Sequence, residues 1–261
     1  MRIKRKERKG ENGRVLIIGG SEDYVGAVVL AAVAAYRTGV DIVTVAAPER
    51  VAWSINNYSP DIITKKFVGK ELDITHAKDI LSLAEGFDSI LIGNGLGIKK
   101  ELVNKIVRSY ERPKVIDADA IKVVNLTLVT NAIFTPHQKE FEILHQNSIT
   151  RREFQTNDQA IKDFQKVMGA NVVLLKGPED LIFSQGQLFK NKTGNNSMTV
   201  GGTGDILAGL CAGFLARTQN MFESAKAAAY ANGKTGEFMS KQRGNSYMAS
   251  EMLPELWRFI R

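Results

Sequence analysis

Short apolar runs recur along the chain. They are Val15-Leu16-Ile17-Ile18, residues 42–45, Ser89-Ile90-Leu91-Ile92, Lys114–Ile116, Ala132–Phe134 and Val172-Val173-Leu174-Leu175. An uninterrupted apolar run has no polar face to turn to water, so each predicts a strand covered on both sides. Helical patterns separate them. An Ala-rich stretch over 26–36 stops before Gly39, and Ala77–Ala84, Lys100–Ser109 and residues 158–168 also read as helices. Leu181–Phe183 and Leu188-Phe189 flank Gly186, a hairpin signal. From 203 through 238 the pattern is helical and rich in Ala, Gly and Leu, with a last amphipathic helix expected over 250–260. Strand alternating with helix predicts an α/β fold with a mostly parallel sheet and helices on both faces. No repeat or low-complexity linker interrupts it, so residues 1–261 are expected to form one domain.

Bulk composition changes this picture little. The chain has 261 residues, 44% hydrophobic and 24% charged, as in ordinary soluble globular proteins. No apolar run approaches the roughly 18 residues of a membrane span, and a basic start followed by a few apolar residues lacks a signal peptide's longer core. A lone cysteine, Cys211, excludes an internal disulfide, and on an apolar helix it reads as core. The cytoplasm is the expected compartment. Net charge needs dissection. Residues 1–14 carry seven cations against two anions, +5 of the chain's net +7. Without zinc-finger spacing or aromatic-interleaved basic stretches, this arm (residues 1–8) predicts a solvated terminus near a polyanionic ligand rather than nucleic-acid binding.

Ligands of parallel sheets sit beyond the carboxyl ends of the strands. Four predicted strand ends carry Gly19-Gly20-Ser21, residues 93–97 (Gly-Asn-Gly-Leu-Gly), Asp117-Ala118-Asp119 and Thr135-Pro136-His137. Singly each is an ordinary turn; together they predict one cleft. The sharpest local signal is Gly201-Gly202-Thr203-Gly204-Asp205, opening a helix. Glycines let backbone N–H groups approach an anion, and the helix terminus adds positive character. Asp205 in that first turn is placed to accept a proton from a hydroxyl. The plainer alternative is a capping role for Thr203 or Asp205. No Lys-Ser or Lys-Thr follows, so this is not a Walker A loop. Lys176 after a buried strand meets phosphates or is a solvated turn lysine; His137 with Glu140 is a ligand contact or a helix start. Asp117 and Asp119 are candidates to hold Mg²⁺ through water or are turn residues. His76 and His145 are expected at the surface.

Taken in order, these motifs resemble the ADP- or ATP-dependent NAD(P)H-hydrate dehydratases, a ribokinase-like family. The resemblance runs over residues 9–240. It begins with Lys9-Gly10, residues 13–21, Tyr24 and Gly26-Ala27. Residues 93–97, Ile116-Asp117-Ala118-Asp119-Ala120 and Thr135-Pro136-His137 with Glu140 follow. Leu174-Leu175-Lys176-Gly177, Gly194-Asn195, Met198 and residues 201–205 complete it. Departures are Gln138-Lys139, where a small residue usually precedes the glutamate, Ser197 in place of glycine, and Asp180 in place of threonine.

The resemblance implies a ribokinase-like three-layer sandwich and a repair enzyme. Hydrated NADH or NADPH is phosphorylated on its ring hydroxyl by ADP or ATP with Mg²⁺, and loss of phosphate restores the dinucleotide. Ala27, Gly95, Gly97, His137 and Asp205 would face the hydrated dinucleotide. Lys176, Gly177, Pro178, Glu179, Asp180, Gly202, Thr203 and Gly204 would contact the nucleotide, and Asp205 would be catalytic. A homo-oligomer and a separate epimerase are further expectations. Rival readings are a ribokinase-like kinase of a small vitamin-precursor alcohol and an inert nucleotide-binding module.

Overall fold

In the computed structural model, which describes residues 5–8, 10–149 and 154–260, the apolar runs become the middle of one nine-stranded sheet. The first half is β1 (Arg14–Ile18), α1 (Val25–Arg37), β2 (Ile42–Pro48), α2 (Glu49–Tyr58), β3 (Ile63–Phe67), α3 (Ala77–Ala84), β4 (Ser89–Ile92) and α4 (Lys100–Ser109). Then come β5 (Lys114–Ile116), β6 (Ala132–Phe134), α5 (Gln138–Ser148), α6 (Asn157–Val167) and β7 (Val172–Leu175). The chain ends with the hairpin β8 (Asp180–Ser184) and β9 (Gln187–Asn191), then α7 (Thr203–Thr218), α8 (Met221–Arg243) and α9 (Ala249–Met252).

Strand order is β3-β2-β1-β4-β5-β6-β7-β8-β9. The first seven strands pair in parallel and β8 and β9 antiparallel. Successive side chains of a strand point to opposite faces, and β1 shows the consequence. Val15 and Ile17 join a core with α1, α2, α7 and α8, whereas Leu16 and Ile18 join a second core with α3, α4, α5 and α6. That is the expected three-layer α/β arrangement.

The Ala-rich helices pack on one another. A Cβ on Gly209 would stand 2.1 Å from the Ala31 carbonyl oxygen, and one on Gly213 would meet Thr38 and Ala35. Small residues therefore let α7 lie directly against α1. Ala31, Ala32, Ala34 and Ala35 are fully buried there, so these alanines offer no surface for an oligomer.

Several expectations need correction. The element pair α2 and β3 went unread. β3 is an edge strand whose Lys65 and Lys66 interrupt the apolar signal, and charged residues are how edges resist further pairing. The helical stretch 203–238 is two helices, broken where Gln219 adopts φ 56° and Asn220 accepts from the Glu223 N–H to start α8. The last helix shrinks to α9 and a 3-10 turn at Leu256–Arg258; Pro254 between them lacks an N–H and disfavours helix before it. His145 is buried, not superficial. It shares the inward face of α5 with Phe141 and Leu144 and meets the rings of Phe154 and Phe164 edge-on. His76 is also largely covered, its Nδ1 accepting from the Asp73 N–H.

The basic arm is displaced from its expected position. Arg5 donates to Asp41 at 3.1 Å, and the Gly10 and Asn12 N–H groups donate to the same carboxylate. Asp41 precedes β2 and Asn12 precedes β1, so this segment lies at the amino ends of the strands, the edge away from the predicted cleft. Residues 1–4 and Lys9 lie outside the described residues. Among the described residues no helix is long and apolar enough to cross a membrane.

Candidate active site

The four unusual strand ends belong to β1, β4, β5 and β6, which are consecutive in the sheet. Strand order reverses between β1 and β4, the switch point where parallel sheets open a crevice. The contacts there are close. The Gly20 N–H donates to the Asn94 carbonyl at 2.9 Å, and a Cβ on Gly19 would stand 2.4 Å from that oxygen. Gly93, at φ 126°, leaves its would-be Cβ 1.9 Å from the Asp117 carbonyl oxygen. Only glycine permits both the conformation and the approach.

Opposite this edge, Gly202 adopts φ 100° and starts α7 with no side-chain cap. The Thr203 hydroxyl donates backward to the carbonyls of Met198 and Val200. The Asp205 carboxylate instead receives the Asn94 amide. Neither residue caps the helix, so the first-turn N–H groups of a 16-residue helix face the cleft, an arrangement suited to an anion. A cavity of about 550 Å³ opens there. His137, Lys176, Gly177, Pro178, Asp180, Gly194, Asn195, Gly202, Thr203, Gly204 and Asn232 are among the residues that line it.

Behind the cavity runs a chain of polar contacts. The fully buried Asn94 donates from Nδ2 to Asp205 Oδ1 at 2.6 Å and to Asp117 Oδ2 at 2.9 Å. Asp117 Oδ1 also accepts from the Thr135 hydroxyl at 2.8 Å and from Lys176 Nζ at 3.1 Å. Lys176 Nζ lies 3.9 Å from Glu140 and 3.4 Å from where a Gly204 Cβ would stand. It therefore joins the carboxylate cluster to the rim of the glycine turn.

These surroundings set the ionisation. Burial pushes the Asp205 carboxyl up to about 6, and the Asp117 charge adds to it against the Asn94 hydrogen bond and the Lys176 charge. Burial alone would lower the Lys176 ammonium, but Asp117 and Glu140 outweigh it and hold it above the ordinary lysine value. Asp205 is thus a carboxylate at neutral pH with a raised affinity for a proton, the property wanted of a general base.

The sequence candidates separate into groups. Of its two readings, His137 takes the helix start, and it stands beside the cavity. Its Nδ1 accepts from the Glu140 N–H in a capping box at the start of α5, and its half-exposed ring lines the cavity. Asp180 lines the cavity too, but its carboxylate accepts from the Gly177 N–H and the Asn191 amide, closing its own turn. Glu179 is exposed and stands outside the lining. Ala27, near the start of α1, and Gly95 and Gly97, in the turn after β4, stand outside this lining. The Ala27 Cβ is 3.4 Å from a would-be Gly95 Cβ, and the Gly97 N–H donates to Asp119 at 2.9 Å.

Both candidate metal carboxylates are committed to protein partners: Asp117 as described, and Asp119 to Gly97 and Lys122. Among the described residues no group of three or more His, Cys, Asp or Glu is placed to hold a metal ion. Cys211 is buried, and that burial pushes its thiol well above the ordinary value.

Sequence reasoning included Asn94 and Thr135 in its strand-end motifs but gave neither a role, and it passed over Asn232. For Asn94 a signal existed, a polar residue between two glycines at the end of a buried strand. For Asn232, within the long helix α8, none did.

The parallel sheet ending in an antiparallel hairpin, with an uncapped glycine turn and an aspartate opening α7, defines the ribokinase-like class. A solved ribokinase-like superfamily protein from Enterococcus faecalis has this fold, with a TM-score of 0.85 and 26% identity over 99% of this chain and 91% of that one. The family model for NAD(P)H-hydrate dehydratase matches residues 15–257, and the chain belongs to that family. A bifunctional NAD(P)H-hydrate repair enzyme of Methanothermobacter thermautotrophicus is 42% identical over 94% of the chain, which spans 49% of that relative's length. An ADP-dependent (S)-NAD(P)H-hydrate dehydratase of Nitrosopumilus maritimus is 35% identical over 97% of the chain and 90% of its own length.

Proposed function

We propose that this chain dehydrates hydrated NADH or NADPH at the expense of ADP, or of ATP, in the cytoplasm. The observation that carries the reading is the uncapped start of α7, with Asp205 on its first turn and Lys176 against Gly204. Asp205 takes the proton of the ring hydroxyl, and the hydroxyl oxygen bonds to the donor's terminal phosphorus. The bond from that phosphorus to the donor's bridging oxygen breaks, releasing AMP from ADP or ADP from ATP. The C–O bond of the new phosphate ester then breaks, inorganic phosphate leaves, and the neighbouring ring carbon gives up a proton to solvent, which restores the double bond of the reduced ring. The N–H groups of residues 202–205 meet charge on the transferring phosphoryl, where one well-placed donor contributes about 3 kcal/mol. Ala27, Gly95, Gly97 and His137 would face the hydrated dinucleotide, and Lys176, Gly177, Pro178 and Asp180 the nucleotide. Mg²⁺ would enter on the donor's phosphates and offset their charge. Support for ADP as donor comes from the name of the Nitrosopumilus relative. The unbroken sheet supports reading the chain as one domain.

The test mixes hydrated NADH with the protein, Mg²⁺ and either ADP or ATP, and follows the near-ultraviolet absorbance of the reduced nicotinamide. Recovery with one or both donors is expected, and Asp205→Asn should lose it while still binding nucleotide. Nucleotide binding without recovery, with a stable phosphorylated product from a vitamin-precursor alcohol, would favour a kinase and overturn the reading.

A further inference from the structure

Asn94 is fully buried, and burying an amide costs free energy unless its polar atoms are paired. Both hydrogens of its amide are used, one on Asp117 and one on Asp205. Its Oδ1 accepts nothing from the described residues. Ionised carboxylates can only accept, so the amide must present its nitrogen to both, and its orientation is fixed. The backbone is fixed as well. Gly93 and Gly95 adopt φ 126° and 62°, and a Cβ on either would collide with Asp117 or with Tyr24. The carbonyl of Asn94 is held by Gly20. A rigid two-glycine frame thus delivers one amide between two carboxylates that repel each other.

We infer that Asn94 is a positioning residue, a clamp that holds the Asp205 carboxylate in place for the reacting hydroxyl and ties it to the Asp117–Lys176 ion pair. The inference rests on the reading of Asp205 as the base. The charged groups that face Asp205 are Asp117 after β5, Glu140 on α5 and Lys176 after β7. Without the clamp, repulsion from Asp117 and Glu140 would turn the carboxylate away.

Two variants separate a clamp from a mere structural part. Asn94→Leu removes the hydrogen bond that favours the charged form, so Asp205 should titrate higher. Asp117→Asn removes the repelling charge, so Asp205 should titrate lower. Both are read as the acid limb of kcat in the repair assay. They are also read as the ¹³C carboxyl titration of Asp205 in the free protein, assigned by its loss in Asp205→Asn. Asn94→Leu should lower kcat about 100-fold with the nucleotide KM nearly unchanged, as misplacing a reacting group does. Opposite shifts of the Asp205 midpoint support the clamp. Unmoved midpoints in the two variants, or wild-type kcat in Asn94→Leu, overturn it. If Asn94→Leu does not fold, the smaller Asn94→Ala, which also lacks the amide, is read by the same titration and kcat and decides in its place. If wild type itself shows no turnover, the proposed function falls, while the carboxyl titration still decides the clamp.

Discussion

Replacing Asp205 with asparagine should make the protein more stable while removing its activity, and only above a defined pH. The Asp205 carboxyl rises from 3.8 to about 6 in the folded state. Folding therefore favours its protonated form, and above both values the folded protein carries a charge it would be better without. Each pKa unit corresponds to about 1.4 kcal/mol, so a shift near two units costs up to about 3 kcal/mol. Partial solvent contact and a favourable α7 dipole reduce this to about 2 kcal/mol. The sign follows from proton counting. Between about pH 4 and 6 the folded state binds more protons than the unfolded one, so wild type loses this increment as pH rises and stays level above it. Asparagine, which keeps an oxygen for the Asn94 amide, carries no such term. Thermal and urea melts of wild type and Asp205→Asn should differ by about 2 kcal/mol near pH 7.5, roughly 4–6 °C in Tm for a chain of this size. Near pH 4.5 only about a third of that gain should survive. A variant no more stable than wild type near pH 7.5, or equally stabilised at both pH values, would refute the reasoning.

Three further substitutions test packing and the anion site. Gly204→Ala places a methyl 3.4 Å from Lys176 Nζ, over the first-turn N–H groups. It should fold normally yet weaken ADP binding about tenfold by calorimetry, the loss of about 1.4 kcal/mol. Gly209→Ala drives a Cβ to within 2.1 Å of the Ala31 carbonyl oxygen and should cost about 3 kcal/mol in urea melts. Gly201→Ala, with no atom within 4 Å of its Cβ, should stay within about 0.5 kcal/mol of wild type. Equal stability of Gly209→Ala and Gly201→Ala would contradict the close α1–α7 packing.

Strands buried on both faces were legible because Val15–Ile18 and Val172–Leu175 leave water no side to touch. β3 was not, because an edge strand is built to look polar. The break at Gln219 was hidden too. A left-handed residue other than glycine carries no local mark when tertiary packing imposes it. At the site, the glycine turn and Asp205 could be read from five consecutive residues. Their support could not. Asn94 reaches Asp205 across 111 positions and Lys176 reaches Asp117 across 59, and only the strand order brings such pairs together. Local chemistry therefore exposed the aspartate proposed as the base, and topology alone exposed the side chains that contact it.

The net charge of +7 is a poor guide to this site. The described part of the basic arm is tied to Asp41 at the far edge of the sheet. Around Asp205, the proposed base, Lys176 is the ammonium that faces Asp117, Glu140 and Asp205 together. Such a cluster does not attract a polyanion by its own charge. Attraction must come from short-range donors, the N–H groups of an uncapped helix aimed at one point, which act over a few ångströms and are indifferent to the sign of the surface behind them. Burial raises the proton affinity of Asp205 first, and the same local excess of negative charge adds to it. A cation-rich pocket would bind phosphate more tightly but would pull that carboxyl down and weaken the base. The glycine turn removes the conflict by supplying positive character without positive charge.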